Sequence, residues 1–164
     1  MKAMKQSMKF GAFAALAAFV VLAGCKPEIT GELGEPFDKV EGITGTWQLT
    51  AFTQQDLNSP VKEVRDLSRF YIDGVTTPLE LNFAADGTYN VALELGKNYF
   101  GEGGTWSFDD PAYPSYLELY STDTLVYNLG GMIRPFDNEL NIEYRRDCSG
   151  TTTVVYTFSF TRQN

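Results

Sequence analysis

The stretch Leu79-Glu-Leu-Asn-Phe-Ala-Ala-Asp-Gly-Thr-Tyr-Asn-Val-Ala-Leu-Glu-Leu95 decides the fold of this chain. On both sides of Asp86-Gly87, large apolar side chains alternate with polar or small ones, and a period of two is typical of a strand that is buried on one face. Gly87 supplies the positive φ that a tight hairpin turn requires. The stretch therefore predicts two antiparallel strands joined by a hairpin.

Six further segments favour strands, and most of the connections between them are short. They are residues 47–51, 105–109, 116–120, 125–129, 140–144 and 154–161. Eight antiparallel strands with one apolar face form either a closed up-and-down barrel or a sandwich. Because successive hairpins show no obvious long crossover, we predict an all-β fold with an eight-stranded up-and-down antiparallel barrel.

One connection, residues 54–77, is much longer than the others. Ser59-Pro60 offers an N-cap followed by proline at the first helical position. Apolar residues recur after it at helical spacing, which predicts one short helix over about residues 60–71. A loop of this length either covers an open end of the barrel or gates a binding site.

Residues 1–24 have the three parts of a secretory signal peptide. Lys2, Lys5 and Lys9 form a positive start, residues 10–22 are apolar, and Ala23-Gly24 are small. The apolar run is shorter than the roughly twenty residues that a membrane-spanning helix needs. Residues 25–42 are rich in Gly, Pro and acidic side chains, which predicts a flexible, disordered tether before a barrel domain at residues 43–164.

The end of the leader, Leu22-Ala-Gly-Cys25, resembles the lipobox of bacterial lipoproteins. The resemblance implies that Cys25 becomes the first mature residue, carries acyl chains such as palmitate and ties the protein to a lipid bilayer. The alternative is an ordinary secretory signal that leaves Cys25 as a plain thiol. In lipoproteins of this kind an Asp after the cysteine favours the inner membrane, and Lys26 stands there instead. We therefore expect a cell-envelope protein of the outer membrane, with the leaflet left open.

The mature chain is strongly acidic. The leader holds three of the 13 Lys and Arg residues and none of the 21 Asp and Glu residues, so residues 25–164 carry a net charge of about −11. A surface of that sign repels phosphate backbones. Nucleic acid is therefore excluded as an expected partner.

The sequence offers few groups for catalysis. It contains no histidine, which excludes Ser-His-Asp and Cys-His mechanisms and His-ligated metal sites. Cys148 is the one thiol that remains if Cys25 is acylated, and its role stays open. Asp109-Asp110 would serve as a calcium ligand, a carboxylate pair or a turn cap. We expect no enzymatic activity, no cofactor and no metal site.

Two motifs resemble a known superfamily. Gly45-Thr-Trp47 opens the first predicted strand, as in the Gly-x-Trp motif of the calycins, which include the lipocalins. The resemblance implies that a basic residue of the last strand packs across the tryptophan, and Arg162 lies on the expected face. More closely, the stretches 83–89 and 104–110 resemble a family of lipocalin-like lipoproteins of Bacteroidota to which no function is assigned. What the resemblance implies is a fold and a location.

Aromatic side chains fall on many of the inward faces of the predicted strands. An eight-stranded barrel is just wide enough to be filled by side chains or to hold one small ligand. The side chains below would either plug the barrel or line an apolar pocket. They are Trp47, Phe83, Tyr89, Trp106, Phe108, Tyr127, Tyr144, Tyr156 and Phe158.

Two functions follow from these alternatives. In the first, the anchored barrel binds an unknown small apolar or amphipathic molecule or a glycan fragment. In the second, a filled barrel has a structural role and docks an envelope protein through exposed aromatic residues such as Tyr99-Phe100, Tyr113 and Tyr116. The sequence does not decide between them.

Overall fold

A computed structural model describes residues 34–35 and 37–163 of the chain. The predicted leader, Cys25 and the first part of the predicted tether lie outside these described residues. Within them, no helix combines the length and the apolar character needed to cross a membrane.

The described residues form one antiparallel sheet of nine strands, and the strands follow each other in space almost as they do in sequence. Their bounds are β1 Gly45–Asp56, β2 Val64–Asp66, β3 Glu80–Phe83, β4 Thr88–Ala92, β5 Gly104–Phe108, β6 Tyr116–Tyr120, β7 Thr124–Leu129, β8 Glu139–Cys148 and β9 Thr151–Gln163. Strand β9 also pairs with β1, from Thr46 opposite Gln163 to Asp56 opposite Val154. This pairing closes β1 and β3–β9 into an eight-stranded barrel, so the predicted up-and-down barrel is confirmed and the sandwich is not formed.

The long connection after β1 contains a helix, but a shorter one than predicted. Helix α2 spans Arg69–Ile72, and residues 64–66 form strand β2 instead of the middle of a helix. The predicted helix at residues 60–71 is therefore wrong over residues 60–68. Val61 and Val64 are 79 % and 57 % exposed, so a helix there would have had no apolar face to bury.

The C-terminal half of β1 explains why β2 forms. Strand β9 pairs along one edge of β1, but β3 pairs along the other edge only as far as Gln48, so the rest of that edge lacks a neighbour in the barrel. Unpaired strand edges expose backbone donors and acceptors. Residues 64–66 satisfy these groups by pairing with Thr53, Gln54 and Gln55.

The residues just before β1 belong to the folded domain, which corrects the predicted boundary of the tether. Helix α1 spans Lys39–Ile43, and the Asp38 side chain caps it by accepting hydrogen bonds from the backbone N–H groups of Val40 and Glu41. Ile43 is fully buried. A side chain at Gly42 would lie 2.7 Å from Cγ2 of Ile133, so glycine permits α1 to pack closely on the β7–β8 connection.

The connections divide the barrel into two ends. The α1 end carries α1, the hairpin turn at residues 84–87 and the connections at residues 109–115 and 130–138. The opposite end, called here the Cys148 end, carries residues 57–79, the β4–β5 connection at residues 93–103, and the turns at residues 121–123 and 149–150. Strand β8 runs between the two ends.

Candidate functional site: the barrel interior and its two ends

All nine aromatic residues predicted to line the barrel belong to, or pack against, one hydrophobic core. Seven of them are buried: Trp47, Phe83, Tyr89, Trp106, Tyr127, Tyr156 and Phe158. Phe108 and Tyr144 are partly buried and pack against the same core. The strands therefore bring the predicted set together, because alternate residues of each strand point to the same face.

Phe100 is the central residue that the sequence did not reveal. It comes from the β4–β5 connection, not from a strand, and it is fully buried. Its ring stacks on Tyr127 at 5.1 Å between centroids and meets Phe158 edge-on at 4.9 Å. The expectation that Phe100 is an exposed docking residue is wrong. The neighbouring Tyr99 is partly buried and packs on Tyr156 at 5.3 Å.

The β4–β5 connection folds inward because Asn98 holds a tight turn. The Asn98 side chain accepts a hydrogen bond from the backbone N–H of Phe100 and donates one to the carbonyl of Gly101. Gly101 has φ +73°, a conformation that favours glycine. The sequence signal for this turn is Asn98-Tyr-Phe-Gly101, since Asn and Gly are typical turn residues.

Three tyrosine hydroxyls hold the inserted connection in place. Tyr71 donates to the carbonyl of Lys97 at 2.8 Å, Tyr89 donates to the carbonyl of Phe100 at 2.7 Å, and Tyr127 donates to the carbonyl of Tyr99. A buried connection is stable only if its backbone polar groups find partners. The polar atoms of these three tyrosines therefore serve the backbone of the same chain.

Burial also changes the acid–base behaviour of the interior. Loss of hydration raises the pKa of Tyr127, with a smaller contribution from the negative charge that Tyr144 would carry. The pKa values of Tyr71 and Tyr89 are raised mainly by burial as well. Burial, followed by the nearby hydroxyls of Tyr156 and Tyr71, raises the pKa of Tyr99 to about 12. These four phenols therefore stay neutral to a higher pH than an exposed tyrosine does.

At the α1 end, Arg162 lies across the indole of Trp47, with 4.5 Å between the guanidinium carbon and the ring centre. Gly45, the other residue of the predicted motif, has φ +129°, and a side chain there would meet the guanidinium of Arg162 at 3.2 Å. Trp47 donates its indole N–H to the carbonyl of Ile43 at 2.7 Å. The three motif residues therefore lie together.

Arg162 also binds the backbone of α1 and its neighbours. Its guanidinium donates to the carbonyls of Gly42 and Thr44 at the end of α1, and to the carbonyl of Asp137 in the β7–β8 connection. The last carbonyls of a helix have no partner within the helix. The rigid fork of donors on arginine suits it to several acceptors at once, so Arg162 joins α1, β9 and the β7–β8 connection.

Each end of the barrel carries an open groove. The groove at the α1 end has a volume of about 410 Å³ and is bordered by Met132, Phe136 and Leu140 among others. The groove at the Cys148 end has a volume of about 320 Å³ and is bordered by Tyr99, Glu102 and Ser121 among others. Both grooves lie at the ends and are lined largely by residues of the connections, whereas Trp47, Phe83, Tyr127 and Phe158 line neither.

The carboxylates considered for chemistry have structural partners. Asp109 accepts hydrogen bonds from the backbone N–H groups of Ser115 and Tyr116, and Asp110 accepts them from Ala112 and Tyr113. These hydrogen bonds hold the pKa of Asp109 below its usual range. Both side chains therefore cap the β5–β6 connection. Among residues 34–35 and 37–163, no three potential metal ligands cluster, and Cys148 is an exposed free thiol.

A closed eight-stranded antiparallel barrel that opens on Gly-x-Trp and is closed by an arginine across the tryptophan fits a lipocalin-like fold. The family model described as "Domain of unknown function (DUF5004)" matches residues 25–161, and the chain belongs to this family. Neither the curated proteins nor the solved structures include one that matches this chain.

Replacing Arg162 with alanine is expected to lower the free energy of unfolding by roughly 2–4 kcal/mol. A fully buried carbonyl left without a donor costs about 1–3 kcal/mol, and the three hydrogen bonds that Arg162 donates are only partly buried, so water offsets part of their loss. Arg162→Lys should recover only part of this loss, since a single ammonium does not reproduce the fork. Urea unfolding followed by circular dichroism measures both values. The matched control is Arg145→Ala, which removes an exposed ion pair with Glu143 and should cost less than about 1 kcal/mol. Equal losses for Arg162→Ala and Arg145→Ala would contradict the role given to Arg162.

Alkaline pH is expected to destabilise the protein through Tyr127. The folded state keeps this phenol protonated, whereas the unfolded chain loses the proton above a pKa of about 10. Stability is therefore complete below about pH 10 and falls as the pH rises, by up to about 1.4 kcal/mol per pH unit for this one group. Urea unfolding between pH 9 and pH 12 should show a flatter decline for Tyr127→Phe than for the parent. Tyr113→Phe, at a position that is 73 % exposed, is the control. Parallel curves for Tyr127→Phe and the parent would refute the prediction.

Proposed function

We propose that this chain is a lipid-anchored, non-enzymatic protein of the bacterial cell envelope whose filled barrel is a scaffold. In this proposal the outer surface and the connections make the protein's contacts, and the barrel holds no ligand. The observation that carries the proposal is the position of Phe100, which is fully buried between Tyr127 and Phe158.

The alternative is a small apolar or amphipathic ligand inside the barrel. Such a ligand would have to displace Tyr99 and Phe100 and break the hydrogen bonds that the tyrosine hydroxyls donate to residues 97–100. Each such bond contributes about 0.5–1.5 kcal/mol, and the buried carbonyls left behind cost more. The packing of the interior therefore favours the filled scaffold over the ligand-binding barrel.

Lipid attachment at Cys25 rests on the leader and on the lipobox-like Leu22-Ala-Gly-Cys25. The family match begins at residue 25, the residue predicted to become the first of the mature chain, and this agreement supports the proposal. One acyl chain gives only marginal membrane binding, whereas two or three anchor a protein stably. Lys26, in place of Asp, favours the outer membrane and leaves the leaflet open.

The non-enzymatic role is supported by the groups that are present. The sequence has no histidine to act as a base near neutral pH. The one adjacent pair of acids considered for catalysis, Asp109 and Asp110, is engaged in capping a turn. Burial raises the pKa values of the Tyr127 and Tyr71 phenols. A phenol that acts as a nucleophile near neutral pH needs a lowered pKa instead.

Removing the plugging side chain should open a site that the parent lacks. Phe100→Ala deletes a ring from the barrel interior, and an apolar cavity of this kind binds benzene when it stays dry. We expect benzene to raise the melting temperature of Phe100→Ala and to leave that of the parent unchanged, with residues 26–164 used for both. Phe70→Ala, at a 51 % exposed position, is the matched control and should not respond. Specific binding of palmitate or benzene inside the parent barrel would refute the filled scaffold.

Cys25 is expected to incorporate radiolabelled palmitate when the full chain is expressed in a bacterium with lipoprotein processing. Cys25→Ser should abolish the label and release the protein from the membrane fraction, because the substitution removes the acyl chains that form the proposed anchor. Cys148→Ser is the matched control and should keep both the label and the membrane location. A labelled Cys25→Ser protein, or an unlabelled parent, would contradict lipid attachment at this residue.

A further inference from the structure

Four large apolar side chains are exposed at the α1 end of the barrel. Phe37, Val40, Met132 and Phe136 are 49 %, 36 %, 62 % and 63 % exposed. The rings of Phe37 and Phe136 meet edge-on with 5.3 Å between their centroids, and Met132 and Phe136 border the same 410 Å³ groove. We call these four residues the α1-end patch.

The α1-end patch is held on a rigid base. Its residues come from the start of α1 and from the β7–β8 connection, and these two segments touch where Gly42 meets Ile133. Arg162 binds carbonyls of both segments, at Thr44 and at Asp137. Because both segments are fixed to the end of β9, the exposed rings keep a common orientation.

Two basic side chains stand beside the aromatic rings of the patch. The Nζ of Lys39 lies 5.8 Å from the ring centre of Phe37, and the guanidinium of Arg134 lies 5.9 Å from that of Phe136. Lys39 is only 5 % exposed, whereas Arg134 is partly exposed. Arg134 is therefore the one of the two that lays its stem along apolar surface and places its charge at the polar boundary. Aromatic rings beside basic groups are typical of surfaces that lie at the interface of a bilayer.

The chain enters the folded domain beside the α1-end patch. Phe37 follows Cys25 by twelve positions, and twelve extended residues reach at most about 40 Å. Cys148 lies at the other end of β8, a strand of ten residues that spans about 30 Å. The described part of the chain therefore begins at the α1 end, and the Cys148 end lies about one barrel length further away.

We propose that the α1-end patch lies on the surface of the bilayer to which Cys25 is attached, so that the barrel stands with its Cys148 end away from the membrane. This inference rests on the proposed lipid anchor and adds the orientation of the domain. The mature chain has a net charge of about −11, so the contact depends on apolar burial and not on anionic lipids. Vesicles of zwitterionic lipid are accordingly sufficient.

The test uses the natural thiol at one end of the barrel and an introduced thiol at the other. The full acylated chain is reconstituted in phosphatidylcholine vesicles that contain nitroxide-labelled lipid, with a fluorophore either on Cys148 or on Met132→Cys in a Cys148→Ser background. We expect loss of fluorescence for the label at position 132 and none for the label at position 148. Nitroxides placed near the headgroup should quench more strongly than nitroxides at the bilayer centre, because interfacial burial reaches only about 5–10 Å.

Removal of the aromatic pair should release the domain from the surface while the anchor remains. Phe37→Ser combined with Phe136→Ser should abolish the quenching at position 132, whereas the protein still floats with the vesicles. The matched control is Phe70→Ser combined with Leu95→Ser, two positions that are each 51 % exposed at the Cys148 end. This control should leave the quenching at position 132 unchanged.

The outcomes separate this inference from the proposed anchor. A protein that floats with the vesicles and shows no quenching at position 132, or stronger quenching at position 148, overturns the orientation and leaves the anchor intact. A protein whose mass shows no acyl chain and that does not float overturns the anchor, and the orientation fails with it. Quenching at position 132 that persists in the double serine variant overturns the role of the aromatic pair.

Discussion

The pairing of β1 with β9 is the constraint on which the rest of the structure depends. It joins residues that are more than one hundred positions apart in sequence, such as Trp47 and Arg162. Closing so large a loop costs conformational entropy, and the packing and hydrogen bonds formed where the barrel closes must offset that cost. Strand β9 brings Tyr156, Phe158 and Phe160 into the core, and Arg162 adds hydrogen bonds to α1 and to the β7–β8 connection.

A closed barrel of eight strands leaves an interior that must be filled by something. Here the β4–β5 connection returns into the barrel and supplies Phe100, and the tyrosine hydroxyls donate to the carbonyls of that same connection. The interior therefore combines apolar and polar contacts. The aromatic rings pack on one another, and the phenolic O–H groups donate hydrogen bonds to backbone carbonyls. Phe100 therefore packs against the inward-facing side chains of β7 and β9.

The sequence predicted the regular part of this architecture well. The alternation of apolar residues located all eight barrel strands, because a strand's buried face shows as a period of two within a short stretch of sequence. The motif residues Gly45, Trp47 and Arg162 carried a resemblance to the same fold. The insertion of Phe100 into the barrel was not predicted, because it depends on a turn at Asn98 and on hydroxyl donors from α2, β4 and β7. Strand β2 was missed for a similar reason. It forms because residues 64–66 pair with an edge of β1 that β3 leaves open, and not because these residues themselves favour a strand.

The two ends of the barrel differ in how they are built. At the α1 end, Arg162 fixes the surrounding segments through backbone carbonyls, and the neighbouring exposed rings of Phe37 and Phe136 lie against each other. At the Cys148 end, the exposed apolar residues Val61 and Phe70 come from the long β1–β3 connection and Leu95 from the β4–β5 connection. No ring pairing joins Phe70 to another aromatic residue among the residues the structure describes. A rigid apolar face buries its area without the entropic cost of ordering loops. The α1 end therefore presents an apolar surface whose backbone is fixed by Arg162, which is the property that the proposed contact with a bilayer requires.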